Sequence, residues 1–135
     1  LNCENSRFQS NRSLAPLSPF KPFHDGEKKV TPYTLFDYVE TMLPAIAPDS
    51  IVSRTIFNEP HLRIILFGFA AGQELSEHTA SRAALLHFLR GEARLTLGGE
   101  PAQARPGTIV HMQPHLPHSV HAESETVMLL YMFGT

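Results

Sequence analysis

Cysteine is almost absent: Cys3 is the only one in 135 residues. A single thiol excludes an intramolecular disulfide framework and any zinc site built from several cysteines. No stretch approaches the roughly 18 apolar residues of a membrane-spanning helix. The N-terminus lacks a charged-then-apolar secretory pattern. An excess of positive charge is missing as well, since 11 Lys and Arg stand against 13 Asp and Glu for a formal net charge of −2. Without a basic field to hold a phosphate backbone, nucleic acid is not an expected partner, and neither is a membrane. These absences lead to the expectation of a cytoplasmic protein. The chain begins at Leu1 rather than Met, which leaves room for a segment upstream. Its length suits one domain, and a domain of that size buries roughly two-thirds of its unfolded surface without a disulfide or metal staple. What stands out positively is histidine, with 8 residues.

The first 33 residues differ from the rest. They carry 5 basic residues, 3 acidic ones and 4 prolines, with no apolar periodicity. The composition predicts an extended or poorly ordered arm over 1–33 and a folded domain over 34–135. Residues 34–47 read as one short helix. Thr34 and Asp37 suggest a capping-box variant, Leu35, Val39, Met42, Leu43 and Ile46 share a face, and Pro44 and Pro48 limit its length. Such a helix would lie on the surface of the domain or plug one end.

From residue 51 onward the pattern becomes short strands separated by turns. The candidates are 51–57, 61–70, 75–80, 83–90, 92–97, 101–104, 108–113, 117–122 and 126–133. Gly98-Gly99 is a two-residue hairpin signal. Many short strands at this spacing predict an all-β antiparallel barrel or sandwich. The last segment, TVMLLYMF, is apolar on both faces, with Val127, Leu129, Tyr131 and Phe133 on one and Met128, Leu130 and Met132 on the other. A strand apolar on both faces is covered on both. The inner face belongs to the core. The outer one must meet the helix, the arm or a second subunit, and a homodimer is the expectation.

Glycines and histidines fall in two spaced groups. In residues 72–91 (GQELSEHTASRAALLHFLRG), five residues separate Gly72 from His78, and Gly91 closes the group. In residues 107–122 (GTIVHMQPHLPHSVHA), Gly107 is followed by His118. This resembles the two motifs of the cupin superfamily, in particular its small single-domain conserved-barrel members, over residues 51–135. The spacing is kept throughout, whereas the identities are kept in part. The second histidine position of the first motif is Ala80 and the glutamate position is Ala84. In the second motif Gln113, His115 and Ala122 occupy the proline, glycine and asparagine positions.

The resemblance implies a double-stranded β-helix, or jelly-roll barrel, with a site inside it. Residues two apart in a strand share a face, so the motif histidines point into the barrel. In many cupins they hold a divalent ion such as Fe, Mn, Ni, Cu or Zn, all of which accept imidazole. Here His78 and His118 are the retained ligands, and His115, in a turn near the barrel mouth, is the third candidate. Alternation sends His87 and His121 outward and leaves His111 open, while Glu74 and Glu77 reach the site only if their strand bends. Ala80 and Ala84 remove bulk from the inner wall, and Phe88 shares their interior. Together they are expected to leave a wide, apolar pocket for a small molecule. Three functions stay open: a metal-dependent enzyme of dioxygenase or isomerase type, a non-catalytic small-molecule binder, and a structural dimer with a vestigial pocket.

Overall fold

Side-chain alternation over short segments, broken by turn residues, is enough to specify this chain's regular structure. The computed structural model describes residues 31–134. It contains strands β1 (Ile51–Glu59), β2 (Leu62–Phe69), β3 (Glu74–His78), β4 (Ala84–Arg90), β5 (Ala93–Leu97), β6 (Glu100–Ala104), β7 (Ile109–Met112), β8 (His118–Ala122) and β9 (Thr126–Phe133). Every predicted strand is present, with its ends moved by at most two residues. They form a five-stranded sheet in the order β1-β2-β9-β4-β7 and a four-stranded sheet in the order β3-β8-β5-β6. All pairings are antiparallel. Gly98 and Gly99 turn β5 into β6 with φ of 59° and 87°, the left-handed values that a two-residue hairpin loop requires.

Two apolar layers follow from the alternation. Between the sheets lie Phe69, Leu86, Phe88 and Met128 from one and Leu95 and Val120 from the other, all buried. The outer face of the larger sheet has its own cluster, in which Leu66, Val127 and Leu129 are covered by Val39, Met42, Leu43 and Ile46. The cover that motivated the expected homodimer is supplied for Val127 and Leu129 by residues 39–46.

The covering segment is not the helix expected over 34–47. A single 3-10 turn spans Val39–Met42. Tyr38, its N-cap, has a left-handed φ of 51° and no side-chain cap bond forms, so a helix cannot run through from Thr34. Leu43 is extended at ψ 138°, as the residue before a proline tends to be. The apolar residues chosen for a helical face nevertheless do their packing. Arg54 Nη1 donates to the Met42 carbonyl at 3.0 Å, and Arg90 Nε donates to Glu40 at 3.1 Å, pinning the turn to the sheet.

Gly68 lies beneath this segment. A Cβ there would stand 2.5 Å from Leu43 Cδ2 and 2.7 Å from Ile46 Cδ1. Gly68→Ala is thus expected to cost about 1–3 kcal/mol by overpacking. Adding Leu43→Ala should return part of that loss, because one of the two obstructing side chains is gone. Urea denaturation of the single and double variants reads the difference.

Contacts divide the chain between Leu35 and Phe36. In the first unit Thr31 Oγ1 donates to the Tyr33 carbonyl at 3.1 Å. The predicted arm 1–33, including Cys3 and His24, otherwise lies outside the described residues. Among the described residues no helix is long and apolar enough to cross a membrane.

Candidate functional site

His78 and His118 meet across the β3–β8 pair. They are direct partners in its register, and their ring centroids are 4.3 Å apart with the planes inclined at 56°. The route to this arrangement is a bulge. Leu75 pairs with Val120 and His78 with His118, so β3 spends one more residue than β8 over the same span. In a regular strand, residues three apart face opposite ways. The extra residue brings His78 back to the face of Leu75, and bulges commonly re-aim a side chain in this manner. The bend conceded in the sequence to Glu74 and Glu77 is therefore real, and it turns the histidine inward.

Each ring is tethered in the same way. His78 Nδ1 lies 2.8 Å from the Ser76 carbonyl, and His118 Nδ1 lies 2.9 Å from the Leu116 carbonyl. A carbonyl only accepts, so Nδ1 carries the proton in both neutral rings and Nε2 keeps its lone pair. Both rings line a cavity of about 70 Å³, whose other walls are Phe67, Leu75, Leu86, Val120, Met128 and Leu130. One water needs about 10–15 Å³ of such space, so there is room for a handful of non-hydrogen atoms. His118 is 8 % exposed, whereas His78 is exposed at the mouth.

The remaining candidates are placed elsewhere. His115 is exposed in the turn before β8, with a left-handed φ of 71°. Its backbone N–H donates to the Ala80 carbonyl at 2.7 Å, and the residue is not part of the cavity wall. Ala80, Ala84 and Phe88 do not line the cavity either. Ala84 does face inward, as expected, but it pairs with Met112 and Met132, and buried Met112 packs in the core beside it. Phe88 is fully buried in the core opposite Met128. The expected wide pocket is thus reduced by Met112, inside the second motif, and by Phe67, Met128 and Leu130 on strands outside both motifs. Phe67, Met128 and Leu130 are the wall residues the sequence reading missed, and the alternation of β2 and β9 was the signal that could have found them.

His87 and His111 lie on the outer face, opposite Leu129 and Leu85 respectively. His121 faces Glu74 at 3.5 Å. Nearby, Gln103 Nε2 and Arg94 Nη1 donate to Glu123 at 2.9 and 2.8 Å, and these bonds hold its carboxyl below the usual range. None of this reaches the cavity.

The donor set decides how far the site suits a metal. Two imidazoles line the cavity, and among the described residues no group of three His, Cys, Asp or Glu could hold an ion. Catalytic metal sites usually have three protein ligands. Every other wall residue is apolar, so no carboxylate offsets a divalent charge. The residues present do not fit a tightly held divalent ion.

A protein-family model described as "Cupin domain" matches residues 65–134, which include both histidines and every other residue of the cavity wall. No curated protein matches the sequence. Solved structures do. A conserved protein of unknown function from Streptococcus pyogenes superposes with a TM-score of 0.66 at 25% identity, over 80% of this chain and 93% of that one. A cupin superfamily protein from Desulfitobacterium hafniense gives 0.69 at 21% identity, over 79% and 97%. A salicylate 1,2-dioxygenase from Pseudoaminobacter salicylatoxidans gives 0.60 at 17% identity, over 70% of this chain and 28% of that one.

Proposed function

This chain belongs to the cupin family, and on that premise we propose that its barrel binds a small, partly apolar organic molecule through the paired imidazoles of His78 and His118, without a tightly held divalent metal. The observation that carries this reading is the double tether: both Nδ1 atoms are committed to backbone carbonyls, in rings that line an otherwise apolar cavity. One Nε2 lone pair of the pair then accepts the single hydrogen of a ligand hydroxyl, and the apolar wall takes the ligand's carbon body. An imidazole so placed can also take up a proton from that hydroxyl. The salicylate 1,2-dioxygenase resembles this chain in fold alone. Fold does not choose between binding and chemistry, so the reading rests on the site.

The test is a titration with butan-1-ol and with 4-hydroxybutyrate, followed through the ring-nitrogen NMR signals of wild type, His78→Ala and His118→Ala. At least one probe is expected to shift the ring-nitrogen signals of His78 and His118 saturably, and substitution of the histidine that accepts the hydroxyl hydrogen should weaken binding by about tenfold or more, the worth of one buried hydrogen bond. No response to either probe would overturn the reading. So would stoichiometric metal in the purified protein that both substitutions abolish.

A further inference from the structure

The cavity is polar at one end only. Its wall is built from two rows of facing side chains. On the smaller sheet Leu75 pairs with Val120 and His78 with His118. On the larger sheet Phe67 pairs with Met128 and Leu86 with Leu130. The connections decide which rows face each other. Residues 70–73 join β2 to β3 and 123–125 join β8 to β9, so the Leu75–Val120 row lies at the same end of the barrel as Phe67–Met128. Gly72 N donates to the Ala122 carbonyl at 2.8 Å and ties that end together. Residues 79–83 join β3 to β4, which sets the histidine row against Leu86 and Leu130.

The two rows are one side-chain step apart, about 7 Å, and they differ in depth. His78 is exposed. Met128 and Val120 are each 1 % exposed, and fully buried Phe69 and Ala122 lie beyond them. The histidine row is therefore the mouth, and Met128 stands at the floor. The floor offers no hydrogen-bond donor, and its one acceptor is the weak thioether of Met128.

We propose that the ligand is a short-chain alcohol whose hydroxyl is its only polar group, held with the hydroxyl at the histidine pair and the chain running inward, and that Met128 sets the length of chain admitted. This rests on the ligand-binding reading above and adds the ligand's class and the residue that selects it. A polar group at the inner end of the chain would be buried without a partner, which disfavours it. A longer chain meets Met128, which stands between Phe67 and Phe88 across its two strand pairs, so close packing limits how far it yields.

Affinities of butan-1-ol, heptan-1-ol and butane-1,4-diol are measured through the histidine ring-nitrogen signals in wild type, Met128→Ala, Met128→Val and Met128→Leu. The wild type is expected to bind butan-1-ol about tenfold or more tighter than the diol, as one unpaired buried hydroxyl implies, and to gain nothing from the longer chain of heptan-1-ol. Met128→Ala, which shortens the floor residue to its Cβ, should make heptan-1-ol the better ligand by roughly fourfold for each added methylene it buries. Met128→Leu, of similar volume, should keep the wild-type order. If Met128→Ala fails to fold, Met128→Val should show a smaller shift in the same direction. Equal affinity for butan-1-ol and the diol in the wild type, a wild-type preference for heptan-1-ol, an unchanged order in the shortened variants, or an equal reversal in Met128→Leu overturns the proposal. If butan-1-ol leaves the histidines of the wild type unperturbed while 4-hydroxybutyrate shifts them, this proposal fails and the ligand-binding reading stands. If neither shifts them, both fail.

Discussion

Alanine at Phe88 is expected to lower the stability of the protein by about 3–5 kcal/mol. That is a large share of the roughly 5–15 kcal/mol that holds a domain together. Phe88 is fully buried in the layer between the sheets. It stands across β4–β9 from Met128, and its own backbone is locked by bonds to Thr108 at 2.9 Å and Gly107 at 2.8 Å. The strand therefore cannot shift to close the hole, and a core that relaxes poorly loses both transfer energy and contacts. Denaturant unfolding should show a lower midpoint with an unchanged slope. A residue that merely bordered a ligand pocket would lose far less. The same experiment thus separates the core role the structure gives Phe88 from the pocket role expected of it in the sequence.

Gly91→Ala is expected to be comparably damaging, at about 3 kcal/mol or more. Gly91 has φ 87°, a conformation that alone disfavours alanine by about 1 kcal/mol. The larger part is steric. A Cβ would collide with the Glu125 carbonyl oxygen and stand 2.7 Å from Thr126 Cα. Both obstacles are backbone and cannot swing aside. They are also fixed, because the Glu92 carbonyl accepts from Glu123 N at 2.8 Å and Ser124 Oγ accepts from Glu92 N at 3.0 Å. The β4–β5 corner is laced to the β8–β9 corner at this point, and only a residue without a side chain fits between them. Gly72 and Gly107 have similar φ, but nothing would lie within 4 Å of an added Cβ. Alanine there should cost only the conformational part. A thermal-melt series of the three variants should place Gly91→Ala far below the other two.

Period-two alternation made the strands and their faces legible in the sequence, since it depends only on which residues are apolar. The same holds for the histidine pair, whose spacing from Gly72 and Gly107 carried the resemblance. What the sequence hid was non-local. No local pattern announces that Tyr38 adopts a left-handed φ, and that one residue turns a predicted helix into a single 3-10 turn. Nor does the alanine at position 84 reveal that Met112 will pack beside it and take up the room. His115 was legible as a turn residue. That it donates its backbone N–H to Ala80 and stays outside the cavity depends on the path of the turn.

The most direct measurement is a long-range proton–nitrogen correlation spectrum of the histidine rings in the unliganded protein near neutral pH. Two carbonyl tethers require His78 and His118 both to be Nδ1-protonated, which leaves Nε2 bare in each neutral ring. Two rings in that tautomer, assigned by His78→Ala and His118→Ala, are the predicted result. A neutral ring protonated on Nε2 with Nδ1 bare would mean that its tether does not form in solution, and the acceptor site would not exist.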